Sequence, residues 1–261
     1  MTSSTPHRDW STWCLADDLT PKQIQTAFIV CFILLNAYAI STYFIIQPSK
    51  RYAWSISLLN SFSMCIAGSI YVLLKMNEHP DMFHFNSDAN ALFYGRDNLG
   101  LLICIWFGLA NAFDFIYGLI LYRVHLGVLT TYVHHSIFIW LMHFCSTRNG
   151  FFVTAPSPFI PAFCIMLIEE IPTFLLALGT IFPSFRTDLG FGVTFFLLRI
   201  VYHAYITIYA IYAQVTTSII VLYLLTLTMH CNWFYAWVTK YGRKSFGKGK
   251  GIKADDVKKD S

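Results

Sequence analysis

Seven apolar stretches decide what this chain can become: 25–47, 54–75, 99–121, 127–145, 159–182, 190–213 and 217–239. Each approaches the roughly 20 mainly apolar residues that a helix needs to cross a bilayer. Charged residues fill only 12% of the 261 positions. Soluble domains carry about 25%, so a water-soluble globular fold is excluded. Strand-like alternation at ten-residue spacing is missing, which excludes a transmembrane β-barrel. The expected fold is an all-α membrane protein: a bundle of about seven transmembrane helices enclosing a polar intramembrane pocket.

Asp18, Thr20 and Pro21 ahead of the first stretch form a helix-start signal. Residues 1–24 are polar and lack the basic start and apolar core of a cleavable signal peptide. They read as a lumenal N-terminal segment, followed by two N-terminal transmembrane helices over 25–75. A larger transmembrane domain occupies 98–243, and 244–261 is a basic cytosolic tail. Segment 76–98 is polar, with His79, Pro80 and Arg96, and reads as a loop or an interfacial helix.

Lys and Arg in the loops set orientation. Seven crossings place five of them on the N-terminal side and twelve on the other, eight of those in the tail from Lys240 to Lys259. The N-terminus is therefore expected in the lumen and the C-terminus in the cytosol. Lys258 and Lys259 stand fourth and third from the end. That placement resembles the cytosolic dilysine signal by which COPI-type machinery returns membrane proteins to the endoplasmic reticulum. A plain basic tail that binds anionic headgroups is the other reading.

Asp114, His134, His135, Glu169, Glu170, Arg199 and His230 all fall inside the apolar stretches. A charge at the bilayer centre is costly, and such residues usually face a bundle interior or a wet cavity. At 1.5 Å per residue, Asp114 lies ~10 Å below the cytosolic end of its helix, the histidine pair ~12 Å, Arg199 and His230 ~14 Å and Glu170 ~18 Å. Alternate helices run in opposite directions, yet these residues share one slab. They predict a pocket reached from the cytosolic half.

Helical spacing puts Asn111, Asp114, Tyr117 and Gly118 on one face of the third helix, and Arg199, Tyr202 and His203 on one face of the sixth. His230, Trp233 and Trp237 line a face of the seventh. His134 and His135 are about 100° apart on a helix, so one serves as base and the other as orienting partner. Pro172 frees a backbone carbonyl beside Glu169, and Thr173 offers a hydrogen bond there. Histidine near an acid takes up and delivers protons near neutral pH. A structural role is the competing reading for Arg199, as counter-ion to Glu170 or Asp114, and for His230, as a hydrogen-bonded core residue.

The nine histidines contain neither the H-x-x-x-H nor the H-x-x-H-H spacing of membrane di-iron enzymes, and the seven cysteines are too scattered for a zinc motif. No metal is expected from these patterns, and no phosphate loop or nucleic-acid signature stands out.

The chain resembles the TLC-domain family (the TRAM, LAG and CLN homology group) from about Asn98 to Arg243. The carriers are ANAFDFIYG around Asp114, YVHHSIFIW around the histidine pair, IEEIPTFLLALGTI around Glu170, FFLLRI around Arg199 and NWFYAWVTK around Trp233. The resemblance implies a multi-pass membrane protein of the endoplasmic reticulum, or a related compartment, concerned with lipids. Ceramide synthases in that family continue past the His pair into an R-x-G segment and an Asp pair. Here Arg148-Asn149-Gly150 is followed by Glu169 and Glu170 instead.

Two function classes follow. In one, the protein binds, senses or moves membrane lipids, with Asn111, Tyr117, Glu169, Thr173, Tyr202, His203, His230 and Trp233 as ligand contacts. In the other, it is an acyl-CoA-dependent N- or O-acyltransferase without a resident cofactor. A histidine of the pair is then general base, Asp114 or Glu170 orients it, and Arg199 steadies the oxyanion.

Overall fold

Thr20 starts the first helix. Its hydroxyl accepts from the Gln23 amide while the Gln23 side chain accepts from the Thr20 amide, and Pro21 occupies the first helical position, where its missing N–H costs nothing. In the computed structural model, Cys14, Ala16 and residues 19–46, 49–84, 92–127, 132–146 and 159–247 are described. Among them there are seven helical rods and no strand. They are α1 (Pro21–Ile45), α2 (Ser55–Glu78), α3 (Asn98–Leu121), α4 (His134–Ser146), α5 (Ile160–Ile181), α6 (Asp188–Tyr212) and α7 (Thr217–Gly247). Lys258 and Lys259, and Arg148-Asn149-Gly150, lie outside the described residues.

Six of the seven rods are long and apolar enough to cross a membrane. The exception is α4, which has 13 residues where the apolar stretch predicts a full span; residues 128–131 of that stretch are outside the described ones. Side-chain pairings fix the directions. Asp114 on α3 stands beside His135 on α4, and Gly108 beside Met142, so the two are antiparallel. Helices α1 and α3 run parallel, because Phe32 meets Phe113 and Asn36 meets Tyr117. Ser57 with Asp114 and Tyr71 with Asp97 make α2 antiparallel to α3. Phe62 with Phe174 and Gly68 with Leu167 make α2 antiparallel to α5. Tyr223 with Ala162 and His230 with Glu169 make α7 parallel to α5. Therefore α1 and α7 point the same way, and the chain enters and leaves at opposite ends of the bundle.

Asp97 caps α3: its carboxylate accepts from the Gly100 amide at 2.6 Å and from the Tyr71 hydroxyl at 2.8 Å. Around that end, Tyr71, Phe93, Leu101, Met142, Ile165 and Tyr209 form the main apolar core. The outer surface carries Phe28, Ile33, Phe44, Leu73, Ile120 and Leu225, all exposed. That is the pattern hydrocarbon demands. Room remains in the middle of the bundle and at its other end, where α3 finishes.

Candidate functional site: a polar chamber inside the bundle

Three side-chain clusters surround that room. In the first, Asp114 is buried in the last turns of α3. Its Oδ1 lies 2.5 Å from the Tyr122 hydroxyl, its Oδ2 accepts from the Ser57 hydroxyl at 3.0 Å, and His135 Nε2 stands 3.6 Å from Oδ2. The carboxylate is thus held from α2 and from the residue that ends α3, and it faces the first turn of α4. The His134 ring leans on Phe138, with centroids 4.7 Å apart, and faces Trp233 of α7 at 6.2 Å. The Nδ1 atoms of both histidines have no hydrogen-bond partner among the described residues.

The second cluster centres on Arg199. Helix α6 widens into a π-helix over Phe196–Tyr202, a distortion often found at functional positions. Across from it, α5 tightens to a 3₁₀ turn over Ile165–Glu169, just ahead of Pro172. Between them, Arg199 Nε donates to the Glu169 carbonyl at 2.9 Å and Nη2 donates to Thr173 Oγ1 at 2.6 Å. Nη2 also lies 3.7 Å from Glu170 Oε1, and the guanidinium sits over the Phe195 ring at 5.3 Å. The pairing with Glu170, one of two considered from sequence, is the one formed.

The third cluster joins α5, α6 and α7. Glu169 meets His203 Nδ1 at 2.8 and 3.1 Å, and His230 Nδ1 stands 3.7 Å from Glu169 Oε2. His203 Nε2 is 3.0 Å from the Tyr223 carbonyl, and His230 Nδ1 is 3.2 Å from the Arg199 carbonyl.

Two cavities connect these groups. The larger, of about 330 Å³, takes Ser57, Asn60, Asn111, Asp114, His135 and Thr173 into its wall, with Trp233 beyond them. It reaches Ala53, Trp54, His125 and Leu126, at the end where α3 finishes. The smaller, of about 80 Å³, is walled by Phe138, Leu141, Phe163, Met166 and Leu222, with Glu169, His203 and His230 along one side. Phe107, His134, Glu170 and Arg199 border both. A charged chamber therefore abuts a narrow apolar recess.

Most residues singled out by spacing line one of these spaces. Tyr117, Gly118, Tyr202 and Trp237 do not. Tyr117 turns toward α1, donating to Asn36 Oδ1 at 3.0 Å and stacking on Phe113. Tyr202 donates to the Ile165 carbonyl at 2.8 Å, which fixes α6 to the 3₁₀ turn. Conversely, Ser57, Asn60 and Tyr122 belong to the site without being singled out. Ser57 and Asn60 are ordinary polar residues of a spanning helix, and Tyr122 at a helix exit reads as a membrane-belt aromatic.

No family model matches the chain, and neither does any curated protein or solved structure. The site must therefore be read from its own chemistry.

Proposed function

We propose that this is a multi-pass membrane protein of the endoplasmic reticulum, related to the TLC-domain group, that acts in lipid homeostasis by binding membrane lipids within the bundle. The observation that carries this reading is the shared wall of His134, Glu170 and Arg199 between a chamber with charged walls and an apolar recess. An amphiphile matches that sequence of environments: its headgroup pairs with Arg199, Asp114 or the histidines, and its chain buries against Phe138, Phe163 and Met166. Ligand sites are typically apolar with a few placed polar groups, and this cavity fits that description. Membrane lipids are then the partners, and Lys258 and Lys259 would bring COPI-type retrieval.

A second reading has its own observation. His135 sits 3.6 Å from an Asp114 carboxylate already held by Tyr122 and Ser57, the arrangement of a base and its orienter. With acyl-CoA as co-substrate, His135 would take the proton of an amine or hydroxyl as its nitrogen or oxygen attacks the thioester carbonyl. Arg199 would face the developing oxyanion, and coenzyme A would leave as the thiol.

One experiment separates them. Protein purified in mild detergent, wild type and His135→Ala, is analysed for co-purifying lipid by mass spectrometry and incubated with labelled acyl-CoA and candidate amines. Lipid bound by both proteins, with no acylated product, supports the binding function. Product that requires His135 supports the transferase. A folded wild-type protein that carries no lipid and forms no product overturns both.

A further inference from the structure

We infer that Glu169, His203 and His230 form a binding site for a divalent transition-metal ion of the zinc class, with one coordination position open to the smaller cavity. The inference stands on these three residues and does not rest on the lipid reading. The three come from α5, α6 and α7, are all buried, and each offers a donor atom within 4.8 Å of the others. Two imidazoles and one carboxylate are a recurrent set for zinc sites that keep a fourth position free. Around a tetrahedral zinc with bonds of about 2.0–2.1 Å, neighbouring donor atoms stand roughly 3.3 Å apart. The contacts here, 2.8 and 3.1 Å for Glu169 with His203 and 3.7 Å for Glu169 with His230 Nδ1, bracket that value, and ligation through His230 Nδ1 requires that it give up its 3.2 Å contact with the Arg199 carbonyl.

Proton bookkeeping at His203 points the same way. Its Nδ1 faces the Glu169 carboxylate and its Nε2 faces the Tyr223 carbonyl. Both partners are acceptors, whereas a neutral imidazole donates from one nitrogen only. Both contacts are met by one proton more than a neutral imidazole carries, or by a metal ion at Nδ1. A metal leaves Nε2–H donating to the Tyr223 carbonyl, the outer contact that metal-bound histidines usually have. Local charge adds to this. With neutral histidines, Glu169 and Glu170 outweigh Arg199 by one negative charge. Arg199 is occupied by Glu170, Thr173 and the Glu169 carbonyl, so it does not take the metal's place at the Glu169 carboxylate. The adjoining cavity of about 80 Å³ has room for a water or ligand oxygen as fourth donor. A search for linear spacing misses such a site, because its donors lie 34 and 27 residues apart along the chain.

The test uses the full chain, freed of any affinity tag, in detergent. Metal content is read by inductively coupled plasma mass spectrometry, and affinity by Zn²⁺ titration after chelator dialysis. Co²⁺ substitution supplies a visible absorption band that reports nitrogen and oxygen ligation. Wild type is expected to hold about one zinc per chain. Glu169→Gln and His230→Gln should each weaken binding by about tenfold or more, while exposed His143→Gln leaves it unchanged. Size-exclusion chromatography and circular dichroism confirm folding, and two ligand variants are compared so that the collapse of one leaves the other to decide. A folded wild type that binds Zn²⁺ no better than His230→Gln overturns the site and assigns the proton instead. So does stoichiometric zinc retained in both ligand variants. Zinc content is read apart from lipid or product, so failure here leaves the lipid reading standing, and the reverse.

Discussion

Arg199 lies at mid-helix in α6, with its charge directed into the bundle. A guanidinium in that position is held only if its donors are met, and here the Glu169 carbonyl, Thr173 and Glu170 meet them. Removing one member of a buried pair leaves the other charge uncompensated, which costs about 3–5 kcal/mol, whereas removing both is far cheaper. Arg199→Met should therefore lower thermal stability in detergent sharply. Arg199→Met combined with Glu170→Gln should recover most of the loss, a non-additivity expected of groups in one network. Equal losses in the single and the double variant would show that the pair is not what holds Arg199 in place. This part of the site was legible in the sequence, because a charge in an apolar stretch is conspicuous. Tyr122 was not: a tyrosine at a helix end looks the same whether it faces lipid or, as here, holds the Asp114 carboxylate.

At the scale of helices, the bundle closes around the chamber through glycines whose missing side chains admit a neighbour. A methyl at Gly68 of α2 would come 2.6 Å from Cβ of Leu167 and 3.3 Å from its backbone carbon. A methyl at Gly192 of α6 would strike the tip of the Trp237 ring of α7. Small residues of this kind set how closely membrane helices approach. Both Gly→Ala changes should lower the unfolding temperature, by an overpacking penalty of about 1–3 kcal/mol. They should differ in rescue. Trp237→Leu removes the ring atoms in the way and should restore much of the Gly192→Ala loss. Leu167→Ala keeps the obstructing Cβ and should leave the Gly68→Ala loss in place. Rescue of both, or of neither, would contradict these two packings. Apolar periodicity marked the helices but not these contacts, since a glycine in a spanning helix does not announce its neighbour. The π-helical stretch Phe196–Tyr202 and the 3₁₀ turn Ile165–Glu169 are equally silent in sequence apart from Pro172. Yet they direct Arg199, Glu169 and His203 toward one another.

For the whole molecule, the decisive quantity is the parity of crossings. Six rods are long enough to span, and six crossings alone would put both ends of the chain on one side. The pairings give another answer, because α1 and α7 point the same way. Between the end of α3 and the start of α5 the chain must return across the bundle, and α4, antiparallel to α3, lies on that return. Its 13 residues, with π-helical Tyr132 and Val133 just before them, are the part of that return among the described residues. It is supported by packing against α3, where Gly108 admits Met142. The lysine and arginine count then favours a cytosolic C-terminus, with the larger cavity open on the same side as the tail. An N-glycosylation acceptor fused ahead of Met1 should be modified in microsomes, and the same acceptor appended after Ser261 should not. Modification of both, or of neither, would place the ends together and require that α4 turn back within the bilayer. Modification of the C-terminal acceptor alone would preserve the odd parity but reverse the orientation. The chamber would then open to the lumen, away from acyl-CoA, which removes the transferase reading while a lipid-binding cavity remains.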